Sequence, residues 1–217
     1  YAGREGEIVF PMEPIVIVKA PLIEAQFVET ALLCMINHQT LIATKADRMT
    51  SAAGEGTVVE FGLRRAQGPD AGIYGARASM IGGAIGTSNV LAGKMFGIPV
   101  KGTHAHSWVM SFPDELNAFN AFADMYPDSC LLLVDTYDTL ASGIPNAIKV
   151  FERLRASGHK PVGIRLDSGD LAYLSKQARK MLDDAGFEDA LIFAGNDIDE
   201  NVISALNAQG ARIDMYG

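Results

Sequence analysis

The sequence predicts an α/β fold: an irregular barrel of largely parallel strands with helices on its outside. In the second half of the 217-residue chain, short apolar runs alternate with amphipathic helical segments. Successive runs are about 20–30 residues apart, the length of a strand and its crossover helix in a parallel βα unit. Glycine is concentrated between Gly54 and Gly102. This region therefore predicts loops and short elements in which the backbone closely approaches other backbone or a ligand.

The regular part of the chain consists of predicted buried strands separated by predicted helices. The apolar runs that predict strands are 131–135, 162–167, 191–195 and 213–217. The segments with helical periodicity are 144–156, 170–185 and 199–209. Because these runs are short and mostly apolar, we expect buried strands of a parallel sheet.

The upstream part is less regular. Residues 57–61 and 98–102 predict two further strands, and the proline-interrupted residues 7–19 predict extended chain. From Leu22 to about Arg48, apolar residues recur at intervals of three and four, which predicts one long helix or two consecutive ones.

Composition narrows the function classes. The net charge of −8 argues against a nucleic-acid surface, which requires clustered cations. The longest uncharged stretches, such as Ala78–Gly93, are too polar to span a membrane. Cys34 and Cys130 both lie in apolar runs, where a free thiol behaves as a small hydrophobe. These features predict a protein of the reducing cytoplasm, with neither a nucleic-acid nor a membrane partner.

Polar residues follow the predicted strands, at the edge where parallel α/β folds place their chemistry. Helix capping is an alternative explanation for many of them, and we expect Asp170 and Asp199 to be caps. Capping does not explain Arg165, because a strand arginine is costly to bury unless it meets an anion. The polar residues at the strand ends are Arg64, Arg65, the segment 102–106, Asp135, Asp167, Ser168, Gly195 and Asn196.

Two histidines, His104 and His106, follow one predicted strand. Side chains at positions i and i+2 of extended chain point the same way, so this pair could chelate a metal. A closed site needs further ligands, and the other histidines, His38 and His159, do not follow strands. A metal-dependent barrel hydrolase and a non-catalytic relative therefore remain alternatives to a ligand-binding enzyme.

Several motifs together resemble the nicotinate phosphoribosyltransferase family, of the type that couples ribosylation of nicotinate to ATP hydrolysis. They occur in the family's order over nearly the whole chain. The motifs are ATKADRM (43–49), EFGLRRAQGPD (60–70), IGGAIGTSNVLAGKMFGIPVKGTHAHSW (81–108), LLLVDTYDT (131–139), IRLDSGDL (164–171) and AGND (194–197).

The resemblance implies a division into two parts: residues 1–20 as the remnant of an N-terminal open-faced sandwich domain, and residues 21–217 as a partial barrel. It also implies a reaction of nicotinate with phosphoribosyl pyrophosphate, giving nicotinate mononucleotide and pyrophosphate for NAD biosynthesis, assisted by ATP and Mg²⁺. A homodimer is implied because the family's sites are shared between subunits. Since further family segments are absent, we expect the 217-residue chain alone to be inactive.

Residue roles are also implied by the resemblance. The second histidine of the motif, His106, is the one that ATP phosphorylates, and His104 receives no role. Arg165 and Asp167 are implied in catalysis, at the nucleotide and its ribose hydroxyls. The implied substrate-binding residues are Phe61 for the pyridine ring, Arg64 for the carboxylate or a phosphate, Ser88 and Asp135, with Gly195 and Asn196 near the ribose phosphate.

Ser88 bears on the choice of substrate. The related nicotinamide-using enzymes carry an aspartate at this position, and such an enzyme is the second alternative. A serine hydroxyl can donate a hydrogen bond to a carboxylate, whereas an aspartate would repel it, which favours nicotinate. Ser88 could equally be the N-cap of the helix that follows.

Overall fold

The computed structural model describes all 217 residues, Tyr1–Gly217. The chain forms two compact units, one built from residues 1–50 and 60–100 and the other from residues 51–59 and 101–217. The predicted boundary after residue 20 lies inside the first unit and remains a prediction.

The first unit is helical. Its elements are α1 (Leu22–Ala53, whose last three residues belong to the second unit), a 3-10 turn (Leu63–Arg65), α2 (Pro69–Ile81) and α3 (Val90–Phe96). The helix predicted from Leu22 is a single continuous one. Its apolar periodicity does not mark a buried face, because Phe27 is 87% exposed and Leu41 is also exposed. Periodicity predicts the helical backbone but does not supply a packing partner.

Two upstream expectations differ from the structure. Residues 7–19 contain turns, and the only bridge near them is an isolated antiparallel one between Ala2 and Val16. In place of the strand predicted at 98–102, Val100 makes a single parallel bridge to Thr87. Ile15–Ile17 exchange three backbone hydrogen bonds with Tyr1–Gly3, whereas the glycine-flanked segment at 98–102 makes only the one bridge.

The second unit holds a five-stranded, fully parallel sheet. Its strands are β1 (Thr57–Val58), β2 (Leu131–Leu133), β3 (Gly163–Leu166), β4 (Leu191–Ala194) and β5 (Met215–Tyr216), in the order β1-β5-β4-β3-β2. The predicted α/β class with parallel strands is confirmed. All four strands predicted in the second half of the chain exist, each shorter than predicted.

Helices cover this sheet. They are α4 (His106–Met110), α5 (Glu115–Met125), α6 (Ile144–Ala156), α7 (Leu171–Asp184) and α8 (Glu200–Ala208), with a π-helical turn (Thr139–Gly143) leading into α6. Asp170 and Asp199 cap α7 and α8 as predicted. The core residues Leu132, Ile164 and Ile192 are fully buried, and burial of each such side chain contributes about 1.5–3 kcal/mol.

The two cysteines differ in environment. Cys130 is buried beside β2, and burial raises the pKa of its thiol to about 12. Cys34 is exposed on α1, although it lies in an apolar run of the sequence. The apolar neighbours of Cys34 in the sequence share its exposed helix. No helix of the chain is both long enough and apolar enough to cross a membrane.

Candidate active site

The carboxyl ends of β2, β3 and β4 carry most of the predicted site residues. Asp135 lies two residues beyond β2, Asp167 directly follows β3, and Gly195 directly follows β4. His106 is the first residue of α4. Parallel pairing aligns these strand ends, and the sheet register therefore brings together residues that are far apart in sequence.

Asp135 is the centre of this cluster. Its side chain is 1% exposed, and Oδ1 lies 3.1 Å from Nε2 of His106. Oδ2 accepts the backbone N–H of Asp167 at 2.8 Å and the hydroxyl of Ser168 at 2.6 Å. Three donors thus satisfy a buried carboxylate, as burial of a charge requires.

The contact with Asp135 defines the chemistry of His106. An ionised carboxylate only accepts hydrogen bonds, so Nε2 must carry the proton. A neutral His106 ring then has its lone pair on Nδ1. The His106 side chain is 39% exposed, which leaves the ring accessible from outside the cluster. The arrangement can therefore present a nucleophilic nitrogen whose opposite side is held by a carboxylate.

Arg165 lies in a strand and therefore requires an anionic partner, which is the carboxylate of Asp167. Its Nη2 lies 2.6 Å from Oδ1 of Asp167, and both side chains are mostly buried. Its Nη1 donates to Oγ1 of Thr103 at 2.9 Å, and that hydroxyl donates to the carbonyl of His104. The guanidinium thereby connects the end of β3 to the segment that carries the two histidines.

Gly195 allows this ion pair to form. A Cβ at Gly195 would collide with Oδ1 of Asp167 and crowd Nη2 of Arg165. Asn196 and Asp197 follow with φ values of 82° and 50°, in the left-handed region where asparagine and aspartate are the most tolerated non-glycine residues. Asn196 is exposed, so its amide is available to solvent or to a ligand.

His104 lies beside His106 but in a different environment. It is 7% exposed, packs edge-on against Phe122 at 4.8 Å between ring centroids, and its Nε2 accepts the backbone N–H of Leu133 at 3.2 Å. Burial lowers the pKa of its imidazole from 6.5 to about 4. Because Nε2 of His104 is engaged by a backbone donor and that of His106 by Asp135, the geometry does not fit a chelating pair.

The remaining predicted residues belong to the first unit. Phe61 is half-buried, Arg64 is exposed on the 3-10 turn, and Ser88 is half-buried. The N-cap of α3 is Asn89, whose Oδ1 accepts the N–H of Ala92, so the capping alternative for Ser88 is wrong.

Glu60 holds the segments that carry these three residues. One carboxylate oxygen accepts the N–H of Gly62 and the other accepts the hydroxyl of Thr87, each at 2.5 Å. The backbone of Ser88 also donates to the carbonyl of Glu60 at 3.0 Å. The turn that carries Phe61 and Arg64 is therefore fixed to the loop that carries Ser88.

The sequence analysis assigned no site role to Glu60, Thr103 or Ser168, which the structure shows holding predicted site segments. Each is a neighbour of a predicted residue and lies inside a recognised motif. The sequence feature that could have identified them is a hydroxyl or carboxylate side chain whose presence is not explained by helix capping. Their partners are 27–62 residues away, and sequence spacing does not identify such contacts.

Comparisons with known proteins agree with this arrangement. The model of the nicotinate phosphoribosyltransferase (NAPRTase) family matches residues 57–209. A nicotinate phosphoribosyltransferase of Bacillus subtilis is 58% identical over 217 residues, covering 100% of this chain and 44% of the relative. The chain thus spans about half the length of the curated relatives it matches.

Solved structures agree as well. The crystal structure of human nicotinic acid phosphoribosyltransferase superimposes with a TM-score of 0.91 at 35% identity, covering 100% of this chain and 54% of the human one. A nicotinate-nucleotide pyrophosphorylase from Pyrococcus furiosus gives a TM-score of 0.72 at 26% identity, covering 83% of this chain and 46% of that one. The family match extends over most of the chain, and the chain belongs to the nicotinate phosphoribosyltransferase family.

Proposed function

We propose that the protein converts nicotinate and phosphoribosyl pyrophosphate into nicotinate mononucleotide and pyrophosphate, a step of NAD biosynthesis, and that ATP hydrolysis through a phosphohistidine at His106 drives the reaction. The observation that carries the proposal is the contact between Nε2 of His106 and the buried Asp135 in a chain of this family. The metal-dependent hydrolase alternative has less support, because no group of three or more His, Cys, Asp or Glu side chains among the 217 residues could hold a metal ion.

Phosphorylation would begin at Nδ1 of His106. Its lone pair attacks the γ-phosphorus of ATP, the N–P bond forms, and the bond to the bridging oxygen breaks and releases ADP. The ring becomes cationic and keeps its proton on Nε2, where Asp135 stabilises it. Asp135 is thus a positioning residue for His106, a more specific role than the substrate contact expected from the sequence. Water later cleaves the N–P bond, releasing phosphate and restoring the neutral ring.

Mg²⁺ would accompany the phosphates of the substrates. Among all 217 residues there is no group of three or more His, Cys, Asp or Glu side chains that could enclose a metal ion. Magnesium is commonly held by one or two carboxylates together with substrate phosphates, and the partly exposed Asp167 fits that mode. When bound, the ion neutralises phosphate charge.

Transfer of the phosphoribosyl group develops positive charge on the ribose. Asp167 would face that charge and the ribose hydroxyls, while Arg165 holds the Asp167 carboxylate at 2.6 Å. Gly195 and Asn196 would lie near the ribose phosphate. Preorganised charges of this kind need no rearrangement at the moment of bond breaking, and a mostly buried ion pair meets that condition.

Nicotinate recognition is assigned to residues of the first unit. Phe61 offers an aromatic face for the pyridine ring, and Arg64 is an exposed cation suited to the carboxylate. Because Ser88 does not cap α3, its hydroxyl is available to donate to the same carboxylate. We further propose that the full gene product is a cytoplasmic homodimer.

The decisive experiment supplies the full gene product with phosphoribosyl pyrophosphate, ATP and Mg²⁺, and compares nicotinate with nicotinamide as acceptor. Formation of nicotinate mononucleotide, faster with ATP than without it, is expected. Formation of product with nicotinamide but not with nicotinate would instead support the nicotinamide-using alternative. With labelled ATP, His106→Asn should abolish acid-labile phosphate incorporation. Size measurement of the same sample tests the dimer.

A further inference from the structure

The two histidines make two contacts of equal sequence separation. Nε2 of His104 meets the backbone of Leu133, and Nε2 of His106 meets the side chain of Asp135, each 29 residues further along the chain. The two segments therefore keep the same register over these contacts, with residue 104 beside residue 133 and residue 106 beside residue 135. The histidine segment runs alongside the end of β2 and meets it through its imidazoles: His104 accepts a backbone N–H, and His106 donates to a carboxylate.

The contact at Leu133 satisfies a donor that the sheet leaves open. β2 is the edge strand, paired only with β3, and the N–H of Val134 points to the carbonyl of Arg165 in that neighbour. Successive residues of a strand direct their N–H groups to opposite sides, so the N–H of Leu133 points away from β3. Leu133 is fully buried, and a buried donor without an acceptor is costly. His104 supplies the acceptor.

We propose that His104 is a positioning residue, which fixes residues 103–106 along β2 so that His106 keeps its Nε2 on Asp135 and its Nδ1 open. The proposal rests on the proposed function only for the statement that His106 is the phosphorylated residue. Thr103 adds a second tie to the same segment through Arg165. Without the contact at Leu133, the His106 ring could turn and present either nitrogen.

A neutral imidazole suits this task. Nε2 accepts a backbone N–H, so the ring proton of His104 lies on Nδ1, the opposite tautomer to that of His106. Phe119 and Phe122 of α5 enclose the ring. Burial, followed by the nearby positive charges of Arg165 and His106, lowers its pKa to about 4. His104 therefore remains an acceptor at neutral pH.

The first test uses the full gene product and does not depend on its activity. Long-range ¹⁵N–¹H correlations should place the proton on Nδ1 of His104 and on Nε2 of His106. In His104→Leu, which keeps an apolar side chain but lacks the acceptor, exchange of the Leu133 amide should accelerate by about tenfold or more. In His104→Gln, whose amide oxygen can accept the same N–H, exchange should stay near wild type. His38→Gln, on α1 in the first unit, is the control for loss of a histidine.

The second test examines which nitrogen of His106 reacts. Phosphoramidate phosphorylates accessible imidazoles chemically, and ³¹P spectra distinguish the two isomers. The wild type and His104→Gln should give the Nδ1 isomer at His106, and His104→Leu a mixture. A merely structural role would change stability without changing the isomer. If His104→Leu gives only the Nδ1 isomer, whatever the exchange of the Leu133 amide, or if wild-type His104 carries its proton on Nε2, the proposal is overturned.

The third test separates this proposal from the proposed function. In the full gene product, the rate of labelling from ATP should fall by about tenfold in His104→Leu, equivalent to about 1.4 kcal/mol, and by less than about twofold in His104→Gln. If ATP labels no variant while the isomer pattern still follows residue 104, the function fails and the positioning role stands. If ATP labels all variants equally and the isomer never changes, the positioning role fails and the function stands.

Discussion

Two carboxylates, Asp135 in the second unit and Glu60 in the first, organise their surroundings in parallel ways. Each accepts a backbone N–H and a hydroxyl: Asp135 those of Asp167 and Ser168, and Glu60 those of Gly62 and Thr87. They differ in one partner. Asp135 also holds an imidazole, whereas every resolved contact of the Glu60 carboxylate is to the backbone or a neutral hydroxyl.

Under the proposed function, that difference would separate the residues that carry the chemistry from those that recognise nicotinate. A carboxylate against an imidazole fixes the tautomer of a nucleophile as well as its position, so its loss alters the reaction itself. A carboxylate that connects a turn to a loop fixes only the positions of Phe61, Arg64 and Ser88. We therefore expect variants around Asp135 to act on kcat, and variants around Glu60 to act on KM for nicotinate. The following predictions test this contrast. Those that concern activity are given in order of decreasing expected effect.

The largest effect is expected from Asp135→Asn. Asparagine can still accept from Asp167 and Ser168 through its oxygen, but its NH₂ would then donate to His106 and force the proton onto Nδ1. The nucleophilic lone pair is lost while the fold remains, and ATP-coupled kcat should fall by about 10²–10⁴-fold. Steady-state kinetics on the full gene product measure this. Asp170→Asn, which exchanges one good helix cap for another, is the matched control.

Gly195→Ala should rank second. The added methyl collides with Asp167 and displaces its pair with Arg165. Misplacement by about 1 Å of a group near the reacting atoms can cost about 10²-fold, and we expect a loss of that order in kcat/KM. Gly102→Ala, whose added Cβ meets no atom within 4 Å, provides the control. Equal activity of the two variants would show that Asp167 is not close to the reaction.

A smaller effect, confined to the acceptor, is expected from Glu60→Gln. The amide can accept at only one of the two partners, and loss of one hydrogen bond of about 1–2 kcal/mol predicts a rise in KM for nicotinate of about 5–30-fold with little change in kcat. Glu55→Gln, an exposed carboxylate in the same part of the chain, is the comparison. A fall in kcat as large as that of Asp135→Asn would remove the contrast between the two carboxylates.

The last prediction concerns stability and its pH dependence rather than activity. The pKa of His104 is lowered from 6.5 to about 4 in the fold, so between these values the unfolded chain binds a proton that the folded chain excludes. Stability should therefore decrease as pH falls from about 6.5 to 4, by up to about 3 kcal/mol at about 1.36 kcal/mol per pKa unit. Denaturant titrations at several pH values measure the free energy of unfolding of the wild type and of His104→Gln. Over this pH range, that free energy should change less steeply with pH in the variant. Identical slopes would contradict the prediction.

Prediction from sequence succeeded where the pattern was local. The period of strands and helices after residue 130, the caps at Asp170 and Asp199, and the polar residues after each strand depend on neighbours within a few positions. It failed where a partner was required. Residues 98–102 were expected to pair as a strand, but a short apolar segment does not itself determine whether a neighbouring strand lies beside it.

Sequence patterns alone were sufficient to identify the parallel α/β class, the family motifs and the candidate site residues. Only the tertiary structure decided how those residues are paired: Arg165 with Asp167, Asp135 with His106, and His104 with the backbone of Leu133. The physical reason is that a hydrogen bond depends on distances of about 3 Å between groups that the chain separates by 29 residues in both histidine contacts. Two histidines one residue apart thus receive opposite tautomers and different tasks.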